Sequence, residues 1–143
     1  MTENKKENLN NRMIKFLFEG APVRGACVQM AEEWQEMIKF HHYPENVAAL
    51  LGQFTAGALL LSSTIKFEGS LILQVKGSGP IAFIYAEVRN PMSVRAMAEI
   101  REGAEIKPEM DLQELINKDG KGLCALILDP KDRRPGVQPY QGM

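Results

Sequence analysis

The sequence predicts one domain of the α/β class, α+β in type, in which a mainly antiparallel sheet packs against two helices. Three observations carry that expectation. The run VAALLGQFTAGALLL, beginning at Val47, is fifteen residues long with only Gln53 and Thr55 polar. Several other segments alternate apolar and polar residues with the period of two that marks a half-buried strand. The links between them are short and rich in Gly, Pro and Asn, as antiparallel connections are.

The elements follow in order. Met1 to Asn11 is polar, lacks the apolar stretch of a secretory signal, and is expected to be a disordered extension of a cytoplasmic protein. From Arg12, RMIKFLFEG alternates Ile14, Phe16 and Phe18 against Lys15 and Glu19, a strand pattern that Leu17 interrupts. After the Gly20-Ala21-Pro22 turn, VRGACVQM extends as a second strand. AEEWQEMIKFHH then places Trp34, Met37, Ile38 and His41 on one helical face and Glu32, Glu33, Glu36 and Lys39 on the other.

Pro44, Glu45 and Asn46 open the long helix, where proline's missing N–H is harmless and an early carboxylate meets the positive end of the dipole. Its apolar run covers roughly 22 Å against the roughly 30 Å of a bilayer core, so a buried helix is expected, ending near Ile65. SLILQVK and IAFIYAEV follow as strands joined through Gly77-Ser78-Gly79-Pro80, and SVRAMAEI as a third after Asn90-Pro91. REGAEIKPEM reads as a loop. DLQELINKDG reads as a short helix capped by Asp111, with Gly120 past its end, and GLCALILDP as a strand. VQPYQGM starts one more strand.

A net charge of −1 and a pI near 6.1 supply no clustered positive charge for nucleic acid or an anionic membrane, so neither is expected as a partner. Cys27 and Cys124 sit among apolar neighbours and are expected to be buried free thiols. Gly77-Ser78-Gly79 with Ala82 partly matches a dinucleotide fingerprint, but Pro80 and β-rich IAFIY stand where a helix has to begin. Adjacent His41 and His42 point about 100° apart on a helix and cannot share a metal ion. No catalytic constellation stands out, so an enzyme is not expected.

The sheet is more informative. In IAFIYAEV one face carries Ala82, Ile84, Ala86 and Val88; the other carries Ile81, Phe83, Tyr85 and Glu87. If the long helix covers the first face, the opposite face presents Ile72, Ile81, Phe83, Tyr85 and Met97. Contiguous apolar patches of this kind are usually covered by another layer of the same fold, another chain or a ligand.

FLFEGAPVRGACVQM, then HHYPENVAALLGQFTAGALLLSSTIKFEGSLILQVKGSGPIAF, then PYQG, together resemble the N-terminal part of the redox-regulated holdase chaperones of the heat shock protein 33 family. The most specific elements are VRG at Val23 to Gly25, Tyr43-Pro44, LLG at Leu50 to Gly52, IKFEG at Ile65 to Gly69, and QVKGSGP. The resemblance implies an ATP-independent chaperone that holds unfolding proteins under oxidative stress. In that family a C-terminal four-cysteine module binds zinc when reduced; on oxidation it unfolds with a linker that had covered an apolar sheet surface. By that comparison residues 12–143 are expected to be an incomplete, truncated N-terminal core. Zinc belongs to the module beyond it, no cofactor is expected in this chain, and Cys27 and Cys124 do not match the switch cysteines. Unfolded client proteins are the expected partners, Ile72, Ile81, Phe83, Tyr85 and Met97 the expected client-binding residues, and a homodimer the expected assembly. A small enzyme or ligand-binding domain, and a purely structural fragment without client binding, are the other readings the residues leave open.

Overall fold

Among the described residues seven strands and three helices form two unequal sheets joined by a central helix. The computed structural model describes residues 11–90, 93–132 and 134–143. Strands β1 (Asn11–Leu17) and β2 (Arg24–Met30) make a separate antiparallel hairpin. Helix α1 (Glu32–Lys39) and helix α2 (Glu45–Thr64) follow. Strands β3 (Gly69–Lys76), β4 (Ile81–Asn90), β5 (Ser93–Ile100), β6 (Leu123–Pro130) and β7 (Tyr140–Gly142) build a five-stranded antiparallel sheet in the order β5-β4-β3-β6-β7. Helix α3 (Leu112–Ile116) lies between β5 and β6. Of the extension expected over residues 1–11, all but Asn11 lies outside the described residues, and Asn11 pairs with Met30 as the first residue of β1.

Helix α2 organises the core. Its N-terminal half sends Val47, Leu50 and Leu51 against Ile81, Ile84 and Ala98 of the sheet and Leu115 and Ile116 of α3. Its C-terminal half sends Ala58 and Leu59 against Leu71, Ala86 and Val88, where Met13, Val28 and Met30 of the hairpin also pack. Leu51 and Leu59 are at most 1% exposed, and burying a leucine of that kind contributes about 2 kcal/mol. The one polar residue on the buried stripe, Thr55, donates its hydroxyl to the Leu51 carbonyl at 2.7 Å and so brings no unsatisfied group inside. At 20 residues the helix is longer than its apolar run and has the length and hydropathy of a membrane-crossing segment. Its buried stripe of Val47, Leu50, Leu51, Ala58 and Leu59 nevertheless finds partners in the sheet, α3 and the hairpin, while Leu61 stays exposed.

Small residues set how closely the layers approach. Trp34 of α1 donates from Nε1 to the Ala48 carbonyl at 3.2 Å, and its indole lies where a Cβ on Gly52 would stand, 2.7 Å from Nε1. Helix α1 ends at Lys39, before the histidines, so His41 leaves the helical face predicted for it and stacks on Tyr43 at 5.1 Å. Tyr43 in turn accepts the Ala98 N–H at 3.2 Å, occupying part of the edge of β5. At the start of α2, the Asn46 amide donates to the Lys107 carbonyl at 3.0 Å and ties the 101–111 loop to the helix. Asp111 and Glu114 form the reciprocal capping box of α3.

Candidate functional site: the outer sheet face

Strand alternation places the open face of the five-stranded sheet, opposite α2. Tyr85 pairs with Met97 across to β5 and with Gln74 across to β3; Phe83 pairs with Glu99 and Lys76. Phe83 and Tyr85 are half-buried and stack with ring centroids 6.3 Å apart, and Met97 is 39% exposed beside them. Three of the five expected residues therefore form one patch. Ile72 also lies on this face, half-buried, between Glu87 and Ile127.

Ile81 does not belong to it. The register of β4 against β5 slips between Ile81, opposite Ile100, and Phe83, opposite Glu99. The extra residue, Ala82, turns Ile81 to the helix side, where it is fully buried beside Ile84. A β-bulge re-aims side chains in this way, and strict period-two counting cannot see it.

A charged cluster borders the aromatic patch. Glu87 is 4% exposed, yet it accepts from Tyr85 Oη at 2.7 Å, from Arg89 Nε at 2.7 Å and from Arg95. Burial by itself raises a carboxyl pKa; hydrogen bonds from Arg89, Tyr85, Arg95 and Ser70 overcome that and hold Glu87 at about 2. Burial first, and then the bond to Glu87, push the Tyr85 phenol up to about 12. Both guanidiniums stay largely in water, so the network sets a fixed charged margin beside Phe83 and Met97.

Sequence reasoning missed part of this surface. Ile127 and Leu123 of β6 fall opposite Ile72 and Lys76 and extend the outer face; the alternation in GLCALIL was the available signal. The alternation of Ile14, Phe16 and Phe18 was legible, but not that this face of the hairpin lies open. Ile14, Phe16 and Phe18 are 42%, 41% and 57% exposed, with Phe16 and Phe18 edge to face at 5.9 Å. Cys27, opposite Ile14, and Cys124, on β6, are both exposed free thiols, which corrects the expectation of burial. The Gly77-Ser78-Gly79 turn packs on the backbone of α3, Ser78 N–H donating to the Ile116 carbonyl at 2.8 Å. Among the described residues no three His, Cys, Asp or Glu side chains gather within reach of one metal ion.

Comparison with known proteins completes the picture. The family model described as Hsp33 protein matches residues 11–143. A 33 kDa chaperonin of Neisseria gonorrhoeae is 39% identical over 137 residues, covering 94% of this chain and 45% of that protein. Another, of Aliivibrio salmonicida, is 38% identical over 135 residues, covering 93% and 45%. The structure of the 33 kDa chaperonin from Thermotoga maritima matches with a TM-score of 0.68 at 19% identity, over 91% of this chain and 44% of that one, a likeness of fold. The class these findings define is that of the 33 kDa chaperonins, with the mixed α+β fold expected from the sequence. Within that class the chain belongs to the Hsp33 family. It spans less than half the length of the curated relatives it matches.

Proposed function

We propose that this chain binds partly unfolded proteins without nucleotide, as a holdase, through the outer face of its five-stranded sheet. Family membership supports the chaperone class, and the contiguous Phe83, Tyr85 and Met97 patch is the observation that carries the site. An aromatic pair offers broad apolar contact, and flexible methionine adapts to varied partners, which suits recognition without sequence preference. The Glu87 network, whose arginines remain solvated, keeps the same face wettable.

Redox control and zinc binding belong in this reading to other parts of family members, because this chain has two cysteines against the four such a module uses. The same reading makes the chain non-catalytic and cytoplasmic, and it assigns the expected homodimer to a second copy meeting the exposed Ile14 and Phe18 of the hairpin. The direct test is aggregation of a thermally or chemically unfolded client, followed by light scattering with and without the purified chain. Suppression at near-stoichiometric chain supports the reading; unchanged aggregation at severalfold excess overturns it.

A further inference from the structure

Away from the outer face, a cleft of about 760 Å3 opens between β1, the C-terminal end of α2 and the neighbouring ends of β3, β4 and β6. Its volume lies within the roughly 300–1,000 Å3 of small-molecule sites. The floor is apolar: Leu71 and Val88 are 3% exposed at the bottom, with Met13, Ile65, Phe67 and Leu128 around them. Phe67 keeps 38% of its surface open. Gly69 leaves room for that ring, since a Cβ there would stand 2.8 Å from it.

Four cations line the same cleft, each from a different part of the chain. Lys15 comes from β1, Lys66 from just past α2, Arg89 from β4 and Lys131 from just past β6, against the carboxylates Glu68 and Asp129. Arg89 shares the single charge of Glu87 with Arg95, so the three together remain positive. Among the described residues Lys15, Lys66 and Lys131 pair with no carboxylate within 4 Å, and all three are exposed. Lys66 also meets the negative end of α2, whose last turn holds no basic residue. Lys15 and Lys131 stand at no helix end.

The backbone fixes how floor and charges meet. The Lys131 N–H donates to the Glu68 carbonyl at 3.0 Å and draws the segment after β6 against the one before β3, where Lys66 and Phe67 lie. Met13 and Lys15, two residues apart, share one face of β1, so that strand gives the cleft an apolar and a charged side chain next to each other.

We propose that this cleft binds a free fatty acid, one per chain. The alkyl chain lies over Leu71, Val88 and Phe67, and the carboxylate sits among Lys15, Lys66 and Lys131. An apolar recess with an excess of cations matches both ends of such a molecule, and a carboxylate is the charge the unpaired lysines lack. A bilayer suits the site less, because its apolar residues line a recess and not a protruding face. The proposal rests on the cleft alone and not on the outer face as a client surface.

Isothermal titration calorimetry at neutral pH tests it, with octanoate, decanoate and decyltrimethylammonium below their micelle concentrations. Decanoate is expected to bind at one per chain, roughly tenfold tighter than octanoate for two more buried methylenes. It should also bind at least tenfold tighter than decyltrimethylammonium, which has the same chain and the opposite charge. Lys15→Glu with Lys131→Glu, both at exposed positions, is expected to fold, checked by circular dichroism, and to weaken decanoate at least tenfold. Phe83→Lys with Met97→Asp, on the outer face, should leave decanoate affinity within twofold, whatever it does to client protection. Equal affinity for the two head groups, several equivalents per chain, or insensitivity to the lysine reversals overturns the proposal. Binding to phosphatidylglycerol vesicles without binding of decanoate also overturns it, assigning the lysines to a membrane surface.

Discussion

The Tyr85 hydroxyl donates a 2.7 Å hydrogen bond to Glu87 Oε2, two residues further along the same strand. This bond joins the aromatic part of the outer face to its charged margin. Glu87 in turn holds Arg95, its ladder partner on β5, and so adds a side-chain tie to the backbone pairing of the two strands.

The first prediction is a pH dependence. Glu87 titrates at about 2 in the folded chain against an ordinary 4.5, so its stabilisation is present above about pH 4.5 and lost as the pH falls toward 2. Glu87→Gln is expected to cost about 1–3 kcal/mol at neutral pH, as for a hydrogen bond to a charged group. Urea midpoints of the two proteins should converge through that acidic window; a constant gap refutes the linkage. Tyr85 works in the opposite direction. Its phenol is raised from 10 to about 12, so stabilisation present below pH 10 is lost as the pH climbs toward 12.

The second prediction separates the two sides of β4. Ile81→Asp puts a carboxylate at a fully buried position and should abolish folding, since an unpaired buried charge costs several kcal/mol, about the stability of a small domain. Phe83→Lys with Met97→Asp should fold, because both positions reach water and a lysine at 83 stands opposite Glu99. The folded double variant is expected to lose suppression of client aggregation. Retained suppression would move the client surface elsewhere.

Third, Gly52→Ala should be destabilising even though alanine favours helix. The added Cβ would meet Trp34 at 2.7 Å from Nε1 and 2.9 Å from Cδ1. Overpacking of this kind costs about 1–3 kcal/mol. Trp34 is the only tryptophan, so its fluorescence reports the displacement directly. In the Trp34→Phe background the cost of Gly52→Ala should shrink; an unchanged cost would place the strain elsewhere.

Fourth, both thiols are exposed, and a native-state thiol assay should label Cys27 and Cys124 without denaturant. With both cysteines changed to serine, client protection should be the same before and after peroxide. Purified chain should carry well under one zinc per molecule, and metal analysis finding stoichiometric zinc would overturn that part of the proposed function.

Fifth, Ile14→Ser with Phe18→Ser should shift the chain from dimer to monomer in multi-angle light scattering. Both side chains are well exposed on the hairpin. A parent chain that is monomeric at high concentration would refute the assignment of the homodimer to this face.

Most of the fold was legible because its determinants are local. The start of α2 is written in Pro44 and Glu45, the cap of α3 in Asp111 and Glu114, and the β3–β4 turn in Gly77 to Pro80. The face of Phe83, Tyr85 and Met97 was legible for the same reason: regular alternation survives from Phe83 onward. Ile81 was not, because one bulged residue inverts every side chain before it, and Ala82 looks no different from any other strand alanine. The exposure of Cys27 escaped because apolar neighbours in sequence are not neighbours in space. Among the described residues its strand pairs only with β1, and Cys27 stays exposed on that two-stranded sheet. The Glu87 cluster brings Arg95 in from another strand, a relationship that exists only once register is set.

The glycine opposite Phe16 has a consequence for recognition. Gly25 faces Phe16 across the hairpin, and the Phe16 ring occupies the volume that a Cβ at position 25 would need. An exposed aromatic side chain ordinarily samples several rotamers, and an incoming surface must freeze it. Here the missing methyl group acts as a seat. The ring rests against backbone before any encounter and also makes an edge-to-face contact with Phe18. Contact with this tip therefore starts from an ordered aromatic surface, with less side-chain entropy left to lose. A single methyl at residue 25 would push the ring off this seat and take away the preset surface.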